Sequence, residues 1–220
     1  MTDPVRLSLI HATRLAIGPV EAAFAELWPE AELVSLLDEG LSMDRAKEAE
    51  LSPELAARIV ALARYAEGNG SAGILYTCSA FGAAIEKAAL TSPLPVLKPN
   101  EAMFEEAFAH GSRAAMIYTF PAAAEGMAEE FRAEAARRGS DARLTVHFAE
   151  GARDALAEGD TETHNRLIAE AAGRTAETDV ILLAHFSMAP ATPGCRAATG
   201  RPVLSAPAAA VRKLRALVEP

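Results

Sequence analysis

The sequence predicts an α/β protein of two similar halves, each built on a parallel sheet, and three observations carry that prediction. Short apolar runs alternate with amphipathic stretches of helical period along the whole chain, the pattern of βαβ units. The alternation restarts near the middle. A shift of 107 positions then lays one half on the other. Ile74 and Leu75 fall on Ile181 and Leu182, and Pro95, Val96 and Leu97 fall on Pro202, Val203 and Leu204. Arg6 falls on Arg113, Ile10 on Ile117 and Phe24 on Phe131, while the middle of each half follows a different shift. The expected division is residues 1–98 with 207–220 for the first half and 99–206 for the second. The alternative is one continuous doubly wound sheet.

The elements follow in order. Residues 6–12 (RLSLIHA) are strand-like. Residues 18–27 form a helix with Val20, Ala23, Phe24 and Leu27 on one face, and Trp28 packs with Phe24 at the edge of a core. Residues 32–37 are a second strand. Ser52 precedes Pro53 as a cap precedes the first helical position; Leu55, Ile59, Leu62 and Ala66 repeat at helical spacing, and Gly68, Asn69 and Gly70 end the helix. Strand 73–77, helix 81–89 and the short strand 95–97 complete the first half. The second half repeats the order: strand 113–119, helix 122–138, strand 142–148, helix 161–174, the buried-type apolar strand 180–184, strand 202–204 and a closing helix 206–218.

Composition narrows the function. Of 220 residues, 50% are hydrophobic and 23% charged, the balance of a folded globular chain rather than a disordered one. No apolar run approaches the roughly 18 residues of a membrane span. The start, MTDPVRLSLI, lacks the basic flank and long apolar stretch of an export signal. The two cysteines lie 117 positions apart (195 − 78) with no CxxC pair, which predicts thiols and a cytoplasmic protein. A net charge of −9 argues against nucleic acid as a partner. No dinucleotide, nucleotide-triphosphate or nucleophile-elbow motif is present. His110, His147 and His164 make no spaced set with carboxylates, so no metal is expected. Lys98 is the one lysine near a strand tip, and nothing else supports a pyridoxal Schiff base on it.

Parallel α/β sheets bind ligands beyond the carboxyl ends of their strands. There the chain offers His11 to Thr13, Thr77 to Ser79, and Lys98 to Glu101 in the first half. The second half offers Tyr118 to Phe120, His185 to Ser187, and Ser205 to Pro207. Cys78 ends a strand and precedes a helix, where backbone N–H groups and the helix dipole favour a thiolate and an anionic ligand. Thr77 and Ser79 flank it with hydroxyls. The alternative is a buried cysteine packed as a small apolar side chain. The repeat partner of Cys78 is His185 (78 + 107), so two facing halves aim a thiol and an imidazole at one carbon, both able to titrate near neutrality. The alternative for His185 is a ring satisfied by a backbone carbonyl. Cys195 falls inside a helix and reads as structural. His11 has either a place at the site or a surface or capping role, and Glu101 either opens a helix or joins the site.

On these residues the chain resembles the aspartate/glutamate/hydantoin racemase superfamily. The segments that carry the resemblance are LIHATRLAIGPVEAAF (9–24), ILYTCSAFGAAIEKA (74–88), PVLKPNEAMFEEA (95–107), VILLAHFSMA (180–189) and RPVLSAPAAAVRKL (201–214), nearly the whole chain. The resemblance implies two pseudo-symmetric parallel-sheet domains of flavodoxin-like type with the active site in the cleft between them. It implies catalysis without cofactor or metal, a small carboxylate substrate and at least a dimer. Family racemases place one cysteine of each domain on either face of the substrate carbon. Related members decarboxylate arylmalonates with only the second-domain cysteine, or isomerise maleate. Carried over, the first cysteine is Cys78 with Ser79 beside it, and Thr119 and Phe120 fall at the second anion-binding turn. His185 stands where two-cysteine members carry their second thiol.

The expected function is a cofactor-independent racemase or isomerase moving a proton at the carbon α to a carboxylate of a small amino or dicarboxylic acid. Cys78 and His185 are the catalytic pair; Thr13, Thr77, Ser79, Thr119, Phe120 and Ser187 bind the substrate. The alternatives are a one-thiol decarboxylase of arylmalonate type, a maleate-type cis–trans isomerase, and a carboxylate-binding protein without catalysis.

Overall fold

The computed structural model describes residues 4–219. The chain divides into two compact units, one formed by the residues up to Pro99 and from Ala210 onward, the other by Asn100–Ala209.

The first unit is a four-stranded, all-parallel sheet in the order β2-β1-β3-β4, with β1 Arg6–His11, β2 Glu32–Leu37, β3 Gly73–Tyr76 and β4 Val96–Leu97. The central strand β3 (GILY) is buried throughout, and the edge strand β2 is only half buried; a strand with helices on both faces needs an unbroken apolar run. The helices are α1 Ile17–Leu27, α2 Glu39–Arg45, α3 Pro53–Gly68 and α4 Gly82–Thr91. Ser52 caps α3, its hydroxyl accepting the Leu55 N–H, with Pro53 opening the first turn. Leu55, Ile59, Ala63 and Ala66 of α3 join Ile10, Ile74, Tyr76, Ile85 and Ala88 in one core. Trp28 and Phe24 are buried together, ring centroids 6.2 Å apart. Gly73 is small by necessity: a Cβ there would meet Leu214 Cδ1 at 2.9 Å and Val218 Cγ2 at 3.1 Å, where the C-terminal helix packs over the start of β3.

The second unit repeats the plan. Its strands are β5 Arg113–Tyr118, β6 Arg143–Phe148, β7 Val180–Leu183 and β8 Val203–Ser205, in the order β6-β5-β7-β8, all parallel. The helices are α5 Glu101–Ala107, α6 Pro121–Arg137, α7 Ala152–Ala157, α8 Thr161–Gly173 and α9 Thr192–Thr199; the closing α10 Ala206–Val218 begins in this unit and runs into the first from Ala210 onward. Ile117, Ile181 and Leu183 pack on Ile168, Ala171, Ala172, Met188 and Cys195. Phe131 takes Phe104 edge-on at 5.6 Å and stacks on Phe108 at 5.1 Å.

The 107-position repeat extends to hydrogen-bond register. Leu7 pairs with Gly73 and Ala114 with Val180; Ile74 pairs with Val96 and Ile181 with Val203. The edge strands break it: β6 lies 111 positions after β2 (143 − 32), one extra helical turn in α6 that is taken back before β7. Two separate four-stranded sheets replace the alternative of one continuous sheet. The short helices α2 and α7 have no counterpart in the sequence reading; at seven and six residues they are held by packing rather than by periodicity.

Candidate active site

In the first unit, strand β3 delivers Thr77, Cys78 and Ser79 to the carboxyl end of the sheet. Cys78 is extended (φ −118°, ψ 119°), partly buried, and immediately precedes a single 3-10 turn, Ser79–Phe81, that leads into α4. Ser79 is partly exposed beside it. Thr13 follows β1; its hydroxyl oxygen accepts the Leu15 N–H at 3.4 Å, which leaves its O–H to donate.

Two expectations at this tip are corrected. Thr77 is not an open hydroxyl for a carboxylate. It is buried, donates to the Ile10 carbonyl at 3.4 Å and sits 2.9 Å from His11 Nδ1. His11 is neither at the surface nor a cap. It is fully buried, and its Nε2 lies 3.3 Å from Ser35 Oγ. One proton arrangement satisfies the chain: Ser35 donates to Nε2, Nδ1–H donates to Thr77, and Thr77 donates to the carbonyl. The ring is then neutral, and burial holds its pKa down at about 4. Thr77 and His11 thus brace the strand end that presents Cys78.

In the second unit, β7 ends at Ala184 and delivers His185 by the same local device. His185 is extended (φ −113°, ψ 144°) and precedes the 3-10 turn Phe186–Ala191 that leads into α9. The Phe120 N–H, after the tip of β5, donates to His185 Nε2 at 3.2 Å. Nε2 is therefore unprotonated and the ring proton sits on Nδ1. Burial first, and the nearby positive charge of Arg153 second, lower the pKa to about 4. The expectation of a near-neutral imidazole is thereby revised: His185 is a neutral ring through the physiological range. Thr119 is buried at the tip of β5, and Phe120 caps α6 without a side-chain bond. Ser187 is partly buried; its carbonyl is 3.3 Å from His164 Nε2, whose Nδ1 is 2.7 Å from the Ala152 carbonyl.

The residue that sequence reasoning missed is Arg153. Gly151, in the left-handed region at φ 73°, turns the chain sharply from β6 into α7. The turn brings the Arg153 guanidinium over the Phe120 ring, 4.4 Å from its centroid. Tyr118 and Phe148 stack at 5.3 Å in the same layer of strand ends. Arg153 forms no ion pair among the described residues, so its charge is available to an anion. The signal is present in the sequence: Arg153 follows the tip of the edge strand β6 Arg143–Phe148.

Cys195 lies in α9, fully buried, its thiol pushed up to about 11 by burial, which fits a structural role. Lys98 pairs with Glu86 at 2.5 Å. Both cysteines are thiols rather than disulfide partners, and no three His, Cys, Asp or Glu side chains converge as a metal set among the described residues. No helix among them is long and apolar enough to cross a membrane.

The two buried histidines give the protein a pH signature. An unfolded histidine titrates near 6.5 and these fold with values near 4. Acid therefore protonates the unfolded state first. Stability is expected to be level above pH 6.5 and to fall as pH drops from 6.5 toward 4. The fully buried His11 alone contributes about 3 kcal/mol to that loss. Melting temperature recorded from pH 8 to 4.5 checks it; His11→Gln should flatten the slope, and an unchanged slope would remove His11 as the cause.

A family model for Asp/Glu/hydantoin racemases matches residues 19–214 of the chain. Among solved structures, glutamate racemase from Bacillus anthracis superimposes with a TM-score of 0.75 at 11% identity, covering 99% of this chain and 82% of that one. Allantoin racemase from Klebsiella pneumoniae gives 0.68 at 18%, covering 97% and 87%. Arylmalonate decarboxylase gives 0.67 at 20%, covering 97% and 92%. At these identities the likeness establishes the fold. No curated protein matches the chain by sequence.

Proposed function

Because the chain belongs to the Asp/Glu/hydantoin racemase family, we propose that it is a racemase or isomerase that needs no cofactor and moves a proton at the carbon α to a carboxylate. The observation that carries this reading is the matched pair of strand tips. Cys78 and His185, 107 positions apart, are each extended, and each ends a central strand before a 3-10 turn and a helix. In this reading the Cys78 thiolate removes the α-proton from one face. The Cα–H bond breaks, an S–H bond forms, and the electron pair moves into the carboxylate. The neutral His185 ring donates its Nδ1–H toward the other face, as uncharged imidazoles do when they polarise an oxyanion. If the new Cα–H bond takes that proton, the ring recovers one from water and the Cys78 thiol gives its proton to the hydroxide so formed, the centre inverts and the thiolate is restored. If the thiol returns its own proton, the hand is retained. Ser79, Thr13 and Thr119 supply hydroxyls for the carboxylate, with Ser187 beside His185.

Arg153 gives the reading a substrate preference. An unpaired guanidinium beside His185 suits a second anionic group, so dicarboxylic acids are favoured. Arg153→Gln is expected to raise KM for dicarboxylates about 10- to 100-fold, the worth of a charged hydrogen bond, and to leave monocarboxylates nearly unchanged. It should also raise the pKa of His185, followed by its ring proton resonances. Equal losses on both substrate classes would exclude this role.

Deuterium incorporation at Cα in heavy water, with enantiomers resolved, tests the whole reading on a panel of amino, hydroxy and dicarboxylic acids. Absence of Cys78-dependent exchange across the panel would overturn it. A second reading is a one-thiol decarboxylase of malonates, favoured by the single cysteine at the paired tips and by a His185 too weakly basic to take up a second ring proton at pH 7. Carbon dioxide release from substituted malonates separates the two.

A further inference from the structure

We propose that β6 is a self-docking edge: a second copy of this chain pairs with it antiparallel, about a twofold axis through Val146, and joins the two four-stranded second sheets into one sheet of eight strands. Strand β6 ends the order β6-β5-β7-β8 and pairs with β5 alone among the described residues. Its register fixes which backbone groups are left over. The Arg143 N–H donates to the Ser112 carbonyl, and the Ala149 N–H donates to the Tyr118 carbonyl. Alternation along the strand then turns the N–H and C=O groups of Leu144, Val146 and Phe148 away from β5, toward the open side.

The side chains of the same three residues share one face of the strand, and all three are apolar. Val146 is 45% exposed and Phe148 39%. The other exposed large apolar side chains, Met43, Tyr65, Leu90 and Leu217, stand singly on four different helices. An open edge is a template for another strand, and proteins blunt it with Lys, Pro or a bulge. The β6 sequence RLTVHF contains neither Lys nor Pro, and its pairing with β5 runs without a break. The repeated plan does not demand such an edge. The corresponding strand β2 has no exposed large apolar side chain, and its Glu32 is paired with Arg6 at 3.0 Å.

The pattern is self-complementary. In a twofold interface residue i meets j and j meets i, which two edge strands achieve only when antiparallel. An axis through Val146 sets Val146 against its own copy, Leu144 against Phe148 and Phe148 against Leu144. Each is an outward-facing pair that can exchange N–H···O bonds, and each is an apolar contact on the shared face. Moving the axis one residue either way leaves Leu144 or Phe148 outside the paired strands. Charge selects the same arrangement. Arg143 and Glu150 bracket the strand, both exposed, and neither forms an ion pair among the described residues. The twofold sets Arg143 of each copy opposite Ala149 and beside Glu150 of the other; parallel pairing would bring like charges together at both ends.

Sedimentation velocity of the full chain under reducing conditions tests this. A strand-to-strand interface is at the small end of the size range, so a monomer–dimer equilibrium that stops at the dimer is expected between about 1 and about 200 μM. Val146→Lys sets two like charges on the axis and should raise the dimer dissociation constant at least about 30-fold, with the melting temperature of the monomer unchanged. Arg143→Glu and Glu150→Arg should each weaken the dimer about fivefold, and the double variant should recover to within about twofold of wild type, because the swap restores opposite signs across the axis. The proposal is overturned by a chain that stays monomeric across the range, which would leave the edge to a different protein. It is overturned equally by assembly that grows past the dimer, by a Val146→Lys protein that dimerises as the wild type does, or by a double swap no tighter than its single variants.

Discussion

Replacing Cys78 by serine is expected to reduce deuterium exchange at the substrate α-carbon by roughly a thousandfold, within the range a positioned general base contributes. The serine is nearly isosteric and preserves a polar atom at the end of β3, but its hydroxyl is not a base near neutral pH. No neighbour at the same tip can replace the thiol. Thr77 Oγ1 is engaged by His11 and the Ile10 carbonyl. His11 is buried behind it as a neutral ring. Ser79 offers only a hydroxyl. The fold should barely register the change, because Cys78 is partly exposed and lies outside the fully buried set; a stability difference within about 1 kcal/mol is expected. Exchange followed by mass spectrometry, with a thermal melt as the control for folding, gives the result. A folded serine variant that retains a tenth of the wild-type rate would take the base role away from Cys78.

The architecture was legible because a duplicated chain writes its register twice. The offset that aligns Ile74 with Ile181 and Val96 with Val203 also lays the Ile74–Val96 strand pair on the Ile181–Val203 pair. It also marks His185 as the repeat counterpart of Cys78. What the sequence could not display is how each side chain is engaged. Thr77 next to Cys78 reads as an available hydroxyl until the fold brings His11, 66 positions away, against it. His185 reads as a titrating histidine until the Phe120 N–H, 65 positions away, occupies Nε2. Both facts depend on long-range strand pairing, which brings the tips of β1 and β3, and of β5 and β7, side by side. Arg153 escaped for another reason. It reaches the strand-end layer from the far edge strand β6, the stretch where the repeat changes its offset and gives no guide.

The engaged ring of His185 leads to the second large effect. Its Nε2 accepts from the Phe120 backbone, so its two nitrogens have separate duties: Nε2 anchors the turn after β5, and Nδ1–H is left as the donor in the proposed reaction. Substitutions can divide those duties. In His185→Gln the side-chain oxygen can reach the Nε2 position and keep accepting the Phe120 N–H, while the Nδ1–H is lost. The expected result is near-native stability with exchange at the opposite face reduced about a hundredfold or more, so that inversion collapses while same-face exchange through Cys78 survives. In His185→Ala both duties are lost, the partly buried Phe120 N–H is left without an acceptor, and about 1–3 kcal/mol of stability is expected to go with the chemistry. The pH profile provides the independent check. Below its pKa of about 4 the ring would carry a proton on Nε2 and break the Phe120 bond, so His185 should add no limb to kcat/KM between pH 5 and 8. A limb near pH 6.5 that disappears in His185→Gln would mean that the ring titrates as an ordinary exposed histidine. The neutral-donor role would then have to be abandoned in favour of a conventional acid–base pair.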